Sequence, residues 1–328
     1  MTRRKRKKII KKIKKILFIF LLIGIVLIGT FFVDKESFHK LTNNIFYEIE
    51  KITKKLEEEI KKYRKDNYDK IGLDNDLMVF FLDVGQAESI LIKSNDEYML
   101  IDAGNNNDGK KIVKYFDYLG IKEFKYVFGT HAHEDHIGGM DDVINSFIID
   151  NFYMPDETTT TETFVEVLNA LEKRKVAFKT PSVGTRLKLG KADIDVLSVK
   201  KSKDDLNDTS IVLKLSYNNI SFLFTGDITQ NVEKELLNKN IESTVFKVAH
   251  HGSKYSNSAA FLNKIKPKYS VISCGVDNEY YHPHKVVLDK LEKLNSKVYR
   301  TDLDGTIVAI TDGKDIDFKT IKTYTDGG

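Results

Sequence analysis

A chain of 328 residues, 41% of them hydrophobic and 30% charged, is long and apolar enough to bury a sizeable core, which excludes a chiefly disordered or fibrous protein. Its 52 lysines and arginines outnumber 48 aspartates and glutamates, but ten of the basic residues fall in the first fifteen positions, leaving 42 against 48 in the rest. The remainder is mildly acidic, so a domain that attracts phosphate over its whole surface is excluded, and nucleic-acid contact has to come from a local patch.

Behind the basic segment 1–15, residues 16–33 carry no charge, and only Gly24, Gly29 and Thr30 interrupt the large apolar side chains. Eighteen residues of helix span about 27 Å, close to the hydrocarbon thickness of a bilayer, so one transmembrane anchor is expected here. A cleaved signal peptide is the competing reading, and Thr30-Phe31-Phe32-Val33 offers it no small-residue cleavage site. The basic cluster then predicts a single-pass protein of the cell membrane, with a cytoplasmic N-terminus and an extracytoplasmic domain. Residues 34–76 form a connector. Phe38, Leu41, Ile45, Ile49, Ile52, Leu56, Ile60 and Tyr63 recur in it at three- or four-residue spacing, the period of an amphipathic helix.

From residue 77 to 328 the pattern changes to short strands, turns and interspersed helices. Strands are expected at 78–82, 89–92, 98–101 and 126–129, with a helix face of Ile112, Val113, Phe116 and Leu119 before the last of them. Phe164, Val167, Leu168 and Leu171 mark another helix. Strands 211–215 and 220–224 form a hairpin closed by Asn218-Asn219. Helices around Val232, Ala260 and residues 286–294 alternate with strands before His250, at 269–273, at 297–300 and at 306–310. Such a mixture predicts an α+β fold of two sheets with helices outside.

The strand at 126–129 releases the heptapeptide Thr130-His131-Ala132-His133-Glu134-Asp135-His136, followed by Gly138-Gly139. Imidazole and carboxylate side chains packed this closely at a strand end suit zinc, manganese or iron. Of eight histidines, three lie here, two at His250-His251 and two at His282 and His284, leaving only His39 elsewhere. The single cysteine, Cys274, sits in an apolar run and reads as a small core residue.

The order Asp102-Ala-Gly, Thr-His131-Ala-His133-Glu-Asp135-His136, Thr-Gly-Asp227 and His250 resembles the metallo-β-lactamase fold, an αβ/βα sandwich with metals at the sheet edges. More narrowly, Phe-Leu-Asp83-Val-Gly-Gln86, Asn207-Asp-Thr-Ser, Val-Ala-His250-His251-Gly-Ser253, His282-Pro-His284 and Tyr-Arg300-Thr-Asp302 are similar to the hydrolase domain of ComEC-type competence proteins. The resemblance implies two divalent metal ions, zinc or manganese with magnesium as a further choice. His131 and His133 would hold one ion and Asp135 and His136 the other. Asp227 would bridge them, and His250 would complete the second. No histidine lies between His136 and His250, where most relatives place a third imidazole of the first site, and Asn207 or Asp208 is the place to look for a substitute.

Asp135 and His284 are the expected catalytic groups, the first orienting the nucleophile and the second, or less favourably His282, protonating a leaving oxygen. Asp83, Asp102 and His251 are expected to brace the metal ligands rather than bind metal. The resemblance implies hydrolysis of a phosphodiester, DNA among the candidates, beside a separate DNA-uptake channel. Lys247, Lys254, Lys264, Lys266, Lys268 and Lys285 lie near the site motifs as candidate phosphate contacts. A hydrolase of a lactam, lactone or thioester, and a non-catalytic metal-binding module, are the alternatives.

Overall fold

The computed structural model describes residues 43, 46–48, 50–55, 77–157, 159–202 and 204–321. The expected anchor at 16–33 and most of the connector lie outside the described residues. Among the described residues no helix is long and apolar enough to cross a membrane. The chain divides into two compact units, 1–67 and 68–328. In the first, the described residues between 43 and 55 are helical.

The second unit begins with an antiparallel meander, β1 (Leu77–Phe81), β2 (Ile90–Ser94) and β3 (Glu97–Ile101). Then come α1 (Gly109–Leu119), β4 (Glu123–Phe124), β5 (Tyr126–Phe128), α2 (Glu134–Ile137) and α3 (Met140–Ser146). They are followed by β6 (Ile148–Ile149), β7 (Phe152–Tyr153), α4 (Glu162–Arg174) and β8 (Phe178–Lys179). The second half contains β9 (Arg186–Leu189), β10 (Ala192–Ser198), β11 (Val212–Tyr217), β12 (Ile220–Phe224), α5 (Gln230–Leu236) and β13 (Val245–Lys247). It ends with α6 (Ala259–Ile265), β14 (Tyr269–Ile272), α7 (Lys285–Lys293), β15 (Lys297–Arg300), α8 (Thr301–Asp304), β16 (Thr306–Thr311) and β17 (Ile316–Ile321). Eight strands form one mixed sheet in the order β17-β16-β1-β2-β3-β5-β7-β8, and seven form a second in the order β15-β14-β13-β12-β11-β10-β9.

The alternation of side chains along β1 shows why two sheets are needed. Met78 and Phe80 point into a cluster with Phe116, Phe124, Phe147 and Phe164, beneath α1, α3 and α4. Leu77, Val79 and Phe81 point the other way, against Leu213, Leu215, Phe222 and Phe224 of the second sheet. A strand apolar on both faces cannot border water, so the sheet must be covered twice. Phe246, Phe261, Leu262, Val287 and Leu291 fill a third layer between the second sheet and α5 to α7. The result is helix, sheet, sheet, helix, the expected αβ/βα sandwich.

Helix ends follow local chemistry. Thr161 accepts the Phe164 amide at 3.4 Å to start α4, and Lys173 and Arg174 occupy its last turn. Asn218 takes the left-handed conformation that the β11–β12 turn demands, with φ of 51°. The hairpin β9–β10 and the last strand β17 were not expected from the sequence.

Candidate metal centre

The histidine loop leaves β5 and is moulded onto the end of its neighbour β3. Asp102, fully buried, accepts hydrogen bonds from the Thr130 amide and the Thr130 hydroxyl, each at 2.7 Å. His136 Nδ1 lies 2.7 Å from the same carboxylate, so it carries the proton and leaves Nε2 free. That Nε2 lies 3.3 Å from Asp227 and 3.8 Å from Asp135. Two backbone bonds lock the loop further, Ala103 N to His136 O at 2.7 Å and Glu88 N to Asp135 O at 2.9 Å. Gly138 packs so closely on the Asn105–Asn106 backbone that any Cβ there would collide with it.

His131 is held by the same economy. Thr130 donates its hydroxyl proton to Asp102, so its oxygen accepts from His131 Nδ1 at 3.1 Å, with Ser210 Oγ a second acceptor at 3.3 Å. His131 Nε2 is thereby a bare lone pair, 3.0 Å from His133 Nδ1. Two nitrogens that each sit about 2.0–2.1 Å from one cation have about this separation.

The second sheet supplies the other wall. Asp227 follows β12, its amide bonded to Ser210 Oγ at 3.1 Å. His250, His251 and Gly252 all have positive φ, of 51°, 52° and 86°. An added Cβ at Gly252 would lie 2.5 Å from Pro283 Cβ, so the turn is built round that contact. His251 Nδ1 donates to the Ser273 carbonyl at 2.9 Å, and its Nε2 lies 3.3 Å from Asp135 and 3.4 Å from Asp227.

Asp135, His136, Asp227 and His251 therefore each bring one donor atom within 4.8 Å of the others. The buried atoms His136 Nε2, His251 Nε2, His250 Nδ1 and Asp227 Oδ1 have no hydrogen-bond partner. Each such atom costs about 1–3 kcal/mol if nothing satisfies it. Three of the clustered residues, His136, His251 and Asp227, carry such atoms, and this mix of imidazole nitrogen and carboxylate oxygen fits divalent cations.

The model of the metallo-beta-lactamase superfamily matches residues 82–276. The chain belongs to that superfamily. Over 250 residues it is 30% identical to ComE operon protein 3 of Bacillus subtilis, a match covering 70% of this chain and 32% of that protein. Competence protein ComA of Neisseria gonorrhoeae is 28% identical over 240 residues, covering 71% and 32%. The chain thus spans about a third of the length of these curated relatives. CmlA, a diiron beta-hydroxylase from Streptomyces venezuelae, shares the fold at a TM-score of 0.50 and 12% identity, covering 75% of this chain and 54% of that one.

Within this superfamily domain several sequence expectations need correction. His251, not His250, joins the four-residue cluster, because the Ser273 carbonyl fixes its ring inward; His250 Nε2 sits at the rim, 3.7 Å from Asp227. Asp208, the expected substitute ligand, is engaged elsewhere: its Oδ1 accepts the Thr229 amide and hydroxyl at 3.1 and 2.7 Å, bracing the start of α5. His284 stands at the start of α7, its Nδ1 accepting the Lys254 amide at 3.3 Å, whereas His282 lines the cleft. Asp83 accepts the Gly85 amide of its own turn at 3.4 Å, and Asp102 accepts from His136 Nδ1 at 2.7 Å. Lys247 is fully buried against Glu88, and so is unavailable to a substrate. Lys266 and Lys285 face Glu242 and Asp289. Gln86 also faces the cleft, and nothing in the segment Asp83-Val-Gly-Gln86 marks its amide as a neighbour of His282.

The metal-free centre has a characteristic pH response. Burial disfavours the charged His251 ring, but the Asp227 and Asp135 carboxylates beside it outweigh burial and raise it to about 9. Burial likewise opposes a charged Asp135, and His136 and His251 hold its carboxyl well below the usual range. A raised histidine contributes stability that is complete below its ordinary value of 6.5 and lost as pH rises through about 9. The metal-free protein should therefore lose thermal stability between those limits, and saturating metal should flatten the loss by displacing the proton. A metal-free melting temperature that is level across that window would refute this picture.

Proposed function

We propose that this chain is a membrane-anchored, metal-dependent phosphodiesterase, a nuclease acting on DNA, with a separate DNA-uptake channel as its partner. The observation that carries the reading is the character of the cleft over the metal centre. It encloses about 590 Å³ and is lined by Gln86, Asn105, His133, Glu134, Asp135, Asn207, Asp227, His250, His251, Glu279, Tyr280 and His282. This wall is polar or ionisable nearly throughout, with Tyr280 its sole aromatic outside the imidazoles. It has no Val, Leu, Ile, Met or Phe side chain to receive the apolar groups of a lactam or thioester, and it suits a phosphodiester once bound cations offset Glu134, Asp135, Asp227 and Glu279. The competence proteins among the relatives support a substrate of the same kind.

Bound divalent ions supply Lewis acidity, making water acidic near neutrality and offsetting negative charge on substrate oxygens. The protein supplies position. Asp102 holds the His136 tautomer, Thr130 and Ser210 hold that of His131, and Asp135, one-third exposed, reaches both His251 and the cleft. His282 is a neutral donor. Burial, followed by the nearby His251, His250 and His284, pushes its imidazole down to about 4. Gln86 Oε1 accepts the Gly275 amide at 3.1 Å, which turns Gln86 Nε2 towards His282 Nδ1 at 3.5 Å. The ring proton therefore sits on Nε2, where it donates to a phosphoryl or leaving oxygen.

His282→Ala is accordingly expected to lower kcat by about a hundredfold, the scale of losing one positioned donor. His284→Ala should change it little. Equal losses in the two variants would return His284 to the catalytic role.

The reading is tested with the full-length protein, solubilised, stripped of metal and reloaded with manganese, magnesium or zinc. Single- and double-stranded DNA, bis-p-nitrophenyl phosphate and a chromogenic β-lactam are offered in turn. Metal-dependent diester cleavage is the expected result, and lactam turnover without diester cleavage would overturn it.

A further inference from the structure

The first metal position has two imidazoles, His131 Nε2 and His133 Nδ1, that converge to 3.0 Å, and the bridging candidate Asp227, whose Oδ1 has no hydrogen-bond partner. Two imidazoles and a shared carboxylate leave a cation short of donors. Asn207 supplies the missing one. It lines the same cleft, and its Oδ1 is buried without any hydrogen-bond partner.

The backbone fixes this amide in place. Asn207 opens with its amide on Asp205 Oδ1 at 2.9 Å, and its carbonyl accepts the Ser210 amide at 3.1 Å and hydroxyl at 2.7 Å. That same Ser210 hydroxyl oxygen accepts from the Asp227 amide and meets His131 Nδ1. One serine thus ties the Leu206–Thr209 turn to a ligand from each half of the sandwich. Every other polar contact of Asn207 is made by its backbone, so the side chain has no role in holding the turn. Its neighbour Asp208 is committed to Thr229.

We propose that Asn207 Oδ1 is a protein ligand of the first metal ion, completing a site with His131, His133 and Asp227. This rests on the metal-dependent part of the function proposed above. A neutral, hard oxygen in place of a third nitrogen weakens the preference for zinc relative to manganese and magnesium.

The test is metal binding by the full-length protein, stripped and titrated with manganese and zinc by calorimetry, with bound metal counted by elemental analysis. The wild type is expected to take two ions. Asn207→Ala should lose the first, or weaken it beyond the roughly 10–100-fold that removing an outer partner costs. Asn207→Asp should keep both ions, and Asn207→His should shift the zinc-to-manganese affinity ratio towards zinc by about tenfold or more. Asp208→Asn should leave stoichiometry unchanged. Two ions bound by Asn207→Ala with wild-type affinity, or one ion bound by the wild type, would overturn the proposal. Because every readout is binding, absence of phosphodiester cleavage counts against the substrate and not against this ligand.

Discussion

Asp227→Ala should abolish metal-dependent hydrolysis, lowering kcat/KM by about a thousandfold or more, equivalent to a loss of about 4 kcal/mol of transition-state stabilisation. Asp227 is the one carboxylate within 3.7 Å of His136, His250 and His251 together. Its carboxyl, despite burial, is held well below the usual range by His251, His136 and His250. Removing it takes away the carboxylate at the middle of the clustered donors and leaves three imidazoles facing one another. Asp102→Asn is the graded comparison. It keeps the shape but changes how His136 is held, and a loss of about 10–100-fold is expected. Initial rates and bound metal, measured together, separate lost metal from misdirected metal. Wild-type activity in Asp227→Ala would remove the centre from catalysis altogether.

The largest effect on stability is expected behind the centre. The carboxylate of Glu88 and the ammonium of Lys247 meet where both side chains are fully buried. Lys247 also donates to the Val248 carbonyl at 3.1 Å. The Glu88 backbone is clamped on both sides, its amide on Asp135 O and its carbonyl under the Gly104 amide at 2.8 Å. The pair therefore joins the β2 end of one sheet to β13 of the other, directly beneath the histidine loop. Breaking it with Glu88→Gln or Lys247→Met strands a buried charge and should cost about 3–5 kcal/mol. For a domain of this size the melting temperature should fall by roughly 10 °C. The double variant Glu88→Leu/Lys247→Met, apolar on both sides, should recover much of that loss. If it is no more stable than the worse single variant, packing rather than charge explains the site.

The sandwich was legible because its strands advertise themselves. Residues 77–101 are short apolar runs ending at Gly or Asp, and the Asn218-Asn219 turn marks the hairpin. The missed hairpin β9–β10 carried a period-two signal as well, with Ala192, Ile194, Val196 and Ser198 buried in alternation, diluted by Lys and Asp on the open face. The metal-binding region was legible because histidines are few and clustered. Which of two adjacent histidines turns inward was not, since that depends on consecutive left-handed residues and on the Ser273 carbonyl, 22 positions away. Nor did sequence separate Asn207 from Asp208, because Thr229, which occupies Asp208, is brought there by the fold. Buried Lys247 shows the same limit, for a lysine near a site motif reads as a substrate contact until its partner across the sheets is seen.

The pairing of β1 with β16 bears on how such a chain is made. Leu77 lies opposite Thr311 and Phe81 opposite Ile307, so the first strand of the domain waits for nearly the last one to be synthesised. Until then β1, apolar on both faces, is an open edge of the growing meander. Closure over such a sequence separation is slow, and an exposed edge of this kind invites pairing with other nascent chains. The hazard window lasts for translation of most of the domain, which makes this a protein whose yield depends on what shields that strand while the ribosome is still at work.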